Sequence, residues 1–170
     1  APLQRAIQRQ MLEQVRPHWL GRLQRRQERT DTNGSCNLVM GLARIHNRLL
    51  GHSTEQSSAQ MLDSSAGGTC LLCNGDQGNE LSVGQLLLLL GGNGTSTLAM
   101  VRWRHLNAEG LHLGLRYLKG LPRPVWLRRA PGAQTHPGVL QSTPDTGSVW
   151  HHGLWLPAGQ FGEGENLWLQ

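Results

Sequence analysis

Cysteine, phenylalanine, tyrosine and lysine are all scarce in this chain. Three cysteines (Cys36, Cys70 and Cys73) among 170 residues exclude a small disulfide-stapled scaffold, and their odd number fits a reducing compartment. The longest apolar run, Leu86 to Leu90, is five residues, far short of the roughly 20 a membrane-crossing helix needs. No charged-then-apolar leader opens the sequence. A soluble cytoplasmic protein without membrane insertion is therefore expected. Neither a G-x-S-x-G elbow nor an H-E-x-x-H helix occurs and no acid/base pair stands out, so an enzyme is not expected. The length suffices for one full-sized domain, or one domain with an appendage, around a real core.

Lys119 is the only lysine, so the basic character rests on arginine. Residues 1–29 hold seven basic and two acidic side chains, whereas the rest of the chain balances nine against nine, which places the formal charge of +5 in this arm. Arg22, Arg25, Arg26 and Arg29 fall within eight residues. The planar guanidinium fork suits bidentate contact with phosphate and with guanine edges, so an anionic partner is expected there. Leu3, Ile7, Met11, Val15, Trp19 and Leu23 recur every fourth residue, which predicts a helical arm with one apolar stripe. Pro17 should kink or break it. The stripe either packs on the following domain or contacts another subunit or a protein partner, and a monomer or a homodimer is compatible with it.

Beyond the arm, Asn33-Gly34 reads as a turn, Ser35 to Met40 as a strand, and Leu42 to Leu50 as a short helix closed by Gly51. His52 to Gln60 is polar and reads as a loop. Short apolar strands separated by glycine-rich turns follow: Thr69 to Cys73, Leu86 to Leu90, Thr95 to Trp103 and Leu111 to Leu118, with turns at Asn74 to Asn79, Gly91 to Gly94 and Asn107 to Gly110. This spacing predicts an antiparallel barrel or sandwich. Val125 to Arg128, a Pro/Gly/Thr-rich connection from Ala130 to Gly147, and strands at Ser148 to Leu156 and Asn166 to Leu169 complete the chain.

Two stretches carry a resemblance. Arg25-x-x-x-Arg29 precedes Asp63-Ser-Ser65-Ala-Gly67-Gly68, and the pair resembles the RxxxR and DxSxxG signatures of the PilZ domain, a bacterial receptor module for cyclic di-GMP. Arg22-x-x-x-Arg26 is a second register for the first motif. Leu81-Ser-Val-Gly84, Ala99-Met-Val-Arg-Trp103 and Leu113-Gly-Leu-Arg-Tyr-Leu118 look like that family's later strands, so the resemblance spans roughly residues 22 to 120. It implies a PilZ-like antiparallel β-barrel over 30–120; with the helical arm of 1–29, the one short inserted helix and a β extension over 121–170 read from the sequence pattern, the expected fold is mainly β. The resemblance also implies that cyclic di-GMP is the ligand, with no other cofactor. The implied contacts are Arg25, Arg26, Arg29, Asp63, Ser65, Gly67 and Gly68, with Arg22 as a possible addition.

The chemistry suits this ligand, which combines two phosphodiester anions with two guanines. Arginine forks can bond phosphate or the O6/N7 edge of guanine. An ionised Asp63 only accepts hydrogen bonds and suits guanine N1–H and N2–H, while Ser65 and the glycine backbone can come close to a phosphate or base. Binding would pin the arginine arm to the barrel and change an interaction surface, on the N-terminal helix or the barrel, offered to a protein partner. Two alternatives stand beside it: a small basic barrel binding single-stranded nucleic acid, disfavoured because the chain beyond the arm is charge-neutral, and a PilZ-like adaptor that binds no nucleotide. Cys70-x-x-Cys73 on a strand points its thiols to opposite faces, so structural cysteines are expected rather than a metal site. His136, His151 and His152 read as surface histidines, and most of the six tryptophans as core or half-buried residues.

Overall fold

The computed structural model describes residues 28, 30–74, 81–144 and 150–170. The arm of 1–29 apart from Glu28, with Arg22, Arg25, Arg26, Arg29 and Trp19, and most of the turn expected at Asn74 to Asn79 lie outside the described residues. The described chain is mainly β with one short helix. Its elements are β1 (Thr30–Met40), α1 (Leu42–Leu49), β2 (Ser57–Ser65), β3 (Gly68–Cys73), β4 (Leu86–Leu90), β5 (Ser96–Asn107), β6 (Gly110–Tyr117), β7 (Leu121–Arg128), β8 (His136–Pro144), β9 (Trp150–Trp155) and β10 (Trp168–Leu169).

The first six strands form one strongly curled antiparallel sheet. Its order is β1-β2-β3-β6-β5-β4, and β4 returns to pair with Asn37 to Met40 of β1. The five leucines of β4 need no alternation because both of their faces are covered. Leu87 and Leu89 point into the curl with Leu38, Leu71, Val101, Leu111 and Leu113, while Leu86 and Leu88 point outward against α1. A strand buried on both sides reads as a continuous apolar run.

Ile45 of α1 packs in this outer cluster, flanked by Leu42 and Leu49. The helix ends in a Schellman arrangement: the His52 N–H reaches the Asn47 carbonyl at 2.9 Å and the Gly51 N–H reaches Arg48 at 3.1 Å, with Gly51 at φ 76. A second sheet of order β10-β7-β8-β9 covers the other side of the helix, contributing Val139 and Trp155 to the same cluster.

Three local expectations are corrected. Asn33-Gly34 is not a turn but lies inside β1, at a register slip between Asp31 and Gly34 opposite β2. The stretch expected to be a loop through Gln60 already pairs from Ser57, with Ser58 and Gln60 facing outward while Ala59 faces in. The Ala130 to Gly147 connection contains β8, a strand held between two partners despite its proline, glycine and threonine content. In the last two cases pairing partners distant in sequence outweighed weak local propensity. The five described tryptophans are also not core residues: Trp103, Trp126, Trp150 and Trp168 are exposed and Trp155 is half-buried. Aliphatic side chains and Cys73 fill the interior of the curl instead.

Candidate ligand-binding site

The β2–β3 hairpin carries the aspartate–serine–glycine motif, and each motif residue has a local structural task. The β2–β3 register slips between Met61↔Leu71 and Asp63↔Cys70, leaving Leu62 as the extra residue of a bulge. Asp63 serves this irregularity: its Oδ1 accepts the Cys70 amide N–H at 3.1 Å, and its main-chain carbonyl accepts the Thr69 hydroxyl at 2.6 Å. Ser65 closes the turn through its Oγ, which accepts the Gly67 N–H at 3.3 Å and donates to the Gly68 carbonyl at 3.2 Å. Gly68 stands where a Cβ would overlap the carbonyl oxygen of Leu115, so any side chain would push β3 away from β6.

The hairpin opens onto a cavity of about 850 Å³. Ser65, Gly67 and Gly68 form one wall, Arg102, Trp103 and Arg116 come from β5 and β6, and Lys119 and Gln141 lie at the junction with the second sheet. Among the described residues three cations and no carboxylate line it. Asp63 does not line the cavity; it stands behind the hairpin, bonded to β3.

A second bulge builds the opposite wall. The β5–β6 register slips between Val101↔Leu115 and Trp103↔Gly114, so Arg102 is the extra residue. Without the slip Trp103 would follow Ala99 and Val101 into the interior. With it, Trp103 turns outward, 42 % exposed, and its indole lies over Gly114, where a Cβ would collide with the ring. Arg104 takes the inward phase and donates from Nη1 to the Leu81 carbonyl at 2.7 Å. The result is an outward aromatic plate beside two arginines, a surface that can stack on a base and attract phosphate.

Thr30, which follows Arg29 directly in the chain, pairs with Ser64, one residue from Ser65. The arginine arm therefore joins the sheet at the hairpin end, although the side chains of Arg22, Arg25, Arg26 and Arg29 lie outside the described residues. Asp31 stands opposite Asp63 in the same register, which brings two carboxylates to the point where the basic arm enters.

The cavity residues Arg102, Trp103, Arg116, Lys119 and Gln141 were not singled out as contacts in the sequence. A signal for one of them existed: counting back from the two-residue turn between Asn107 and Gly110 puts Trp103 opposite Gly114, a large ring facing a bare backbone. The other candidates lie elsewhere. Cys70 and Cys73 are both buried, Cys73 inside the curl, and none of the three cysteines is in a disulfide. Burial, with Cys36 and Cys70 nearby, pushes the Cys73 thiol up to about 11. His152 Nδ1 lies 2.9 Å from Ser142 Oγ, and His136 meets the Phe161 ring edge-on. Among the described residues no cluster of three or more His, Cys, Asp or Glu side chains could hold a metal ion, and no helix is long and apolar enough to cross a membrane.

Comparison with known proteins returned no matching family model, curated protein or solved structure.

Proposed function

We propose that this chain is a cyclic di-GMP receptor, built on a barrel of the PilZ type, that acts by binding rather than by chemistry. The observation that carries the reading is the cavity at the β2–β3 hairpin: the serine and glycines of the second motif share it with Arg102, Arg116 and Lys119 and with the Trp103 plate. Its volume of about 850 Å³ falls within the roughly 300–1,000 Å³ usual for ligand cavities. A ring with two phosphodiesters and two guanines would find cations and a stacking face there, and the arm's arginines would reach it from Thr30, which pairs with Ser64 beside the hairpin. Arg29, with Arg25 and Arg26 or with Arg22 in the other register, would close over the ligand. Asp63 stands outside the cavity with Oδ1 accepting from Cys70, so it would have to turn toward the ligand to accept from guanine N1–H and N2–H.

Ligand binding would favour the arm position that meets the cavity. A tenfold difference in affinity between two arm positions, about 1.4 kcal/mol, shifts their ratio tenfold. The arm's apolar stripe would then be offered to, or withheld from, a protein partner. Calorimetric titration with cyclic di-GMP, GMP, cyclic di-AMP and a short oligonucleotide at two salt concentrations tests this. Selective binding of cyclic di-GMP that is lost in Arg29→Ala is the expected result. Heat from the oligonucleotide alone, falling steeply with salt, would transfer the Trp103–Arg102 surface to single-stranded nucleic acid. Silence from all four would refute the nucleotide reading.

A further inference from the structure

The cavity is not built by the first sheet alone. Lys119 is the middle residue of the three-residue connector, 118–120, that leads from β6 to β7, and β8 of the second sheet holds this connector in place. Gln141, only 7 % exposed, lines the cavity and donates from Nε2 to the Lys119 carbonyl at 2.7 Å. Thr143 Oγ1 donates to the same carbonyl at 2.9 Å. Gln141 is itself oriented by the Trp155 indole, whose Nε1 donates to Oε1 at 3.0 Å. Gly120, at φ +110, presses so close to β8 that a Cβ would lie 2.6 Å from the Ser142 carbonyl oxygen.

Two donors on one carbonyl, an oriented carboxamide and a glycine packed against the strand give the Lys119 backbone a single place. Its ammonium, on an otherwise flexible stem, is thereby launched from a defined point on the cavity rim, two residues beyond Tyr117, whose N–H bonds the Gly67 carbonyl of the hairpin at 2.9 Å. Pre-organising a cation in this way strengthens its hold on an anion, because less freedom is lost on binding. We infer that Lys119 is a phosphate-contacting residue of the site and that Gln141, acting through the Lys119 backbone, is its positioning residue. The second sheet is then a component of the binding site rather than an appendage.

This rests on the cyclic di-GMP reading, and the test separates the two. Cyclic di-GMP is titrated into the full chain and into Lys119→Met, Gln141→Met, Thr143→Val and Lys119→Met/Gln141→Met, each first shown to be folded by its thermal transition. Lys119→Met should bind about tenfold more weakly and with a smaller dependence of affinity on salt, as for loss of one screened cation–phosphate contact. Gln141→Met, which keeps the length and loses both hydrogen bonds, should weaken binding several-fold although Lys119 remains, and Thr143→Val less so. The double variant should be no weaker than Lys119→Met alone, since Gln141 has nothing left to position. Wild-type binding with Lys119→Met unchanged in affinity and salt slope overturns the inference and leaves the receptor reading standing. Additive losses in the double variant overturn the positioning role of Gln141. A wild-type chain silent to cyclic di-GMP overturns both.

Discussion

Asp63 offers a direct way to separate folding from recognition. Its Oδ1 accepts the amide of Cys70, a buried residue on β3, across the bulge at Leu62. Alanine at this position leaves the Cys70 N–H without that acceptor and with little access to water. A hydrogen bond to a charged acceptor is worth roughly 1.5–3 kcal/mol net, so Asp63→Ala should cost about 2 kcal/mol. In a chain of this size that lowers the thermal midpoint by about 4–8 °C. Asp63→Asn keeps an oxygen in the same place but loses the charge, so it should recover about half of the loss. If Asp63 accepts from guanine as in the proposed function, the carboxamide is a poor substitute, because its NH₂ group would face the guanine donors. Far-UV circular dichroism melts and nucleotide titration of the two variants would separate the effects: Asp63→Asn is expected to fold nearly as well as the wild type and to bind markedly less. A midpoint for Asp63→Ala within about 1 °C of the wild type would refute the structural role, since a lost charged bond to a buried amide cannot be that cheap.

Gly114→Ala places a methyl group where the Trp103 indole lies, so the ring must swing away; tryptophan emission should change and nucleotide affinity fall about tenfold if the ring stacks on a base. His46 is fully buried against Trp126, with neither ring nitrogen hydrogen-bonded among the described residues. His46→Leu should therefore raise stability by about 1–2 kcal/mol in urea titration, and a loss would mean the ring packs better than its polarity suggests. The Cys73 thiol, raised from 9.0 to about 11 by burial, stays protonated longer in the folded chain than in the unfolded one. Its contribution to stability is complete below pH 9 and is lost as the pH rises from about 9 to about 11. Urea midpoints across that window should fall less in Cys73→Val, and identical slopes would show that the thiol is not the cause.

Much of the β pattern was legible because burial writes itself into sequence. Alternation in Leu111, Leu113 and Leu115, the leucine run of β4 and the helix spacing of Leu42, Ile45 and Leu49 each reflect which faces are covered. Residues whose pairing is decided by distant strands left weaker traces. Ser57 to Gln60 and His136 to Pro144 carry few strand-forming side chains and take their conformation from β1, β7 and β9. The site divides in the same way. The hairpin motif could be read locally, since Asp63, Ser65 and Gly68 act within a few residues of one another. The opposite wall could not, because the bulge at Arg102 reverses the inside–outside phase of β5 and converts an apparent core tryptophan into a surface plate.

By itself the sequence determined a basic, arginine-rich arm, a mainly β body and a compact turn bearing a carboxylate, a hydroxyl and glycines. These follow from side-chain chemistry and local periodicity, which act over a few residues. Only the tertiary structure decided that the hairpin faces Arg102, Trp103, Arg116 and Lys119, and that Gln141 of the second sheet lines the same cavity. Those neighbours are brought together by strand register, by a one-residue slip in β5 and by the docking of the second sheet through α1. Long-range pairing sets all three, and no stretch of the chain encodes them alone.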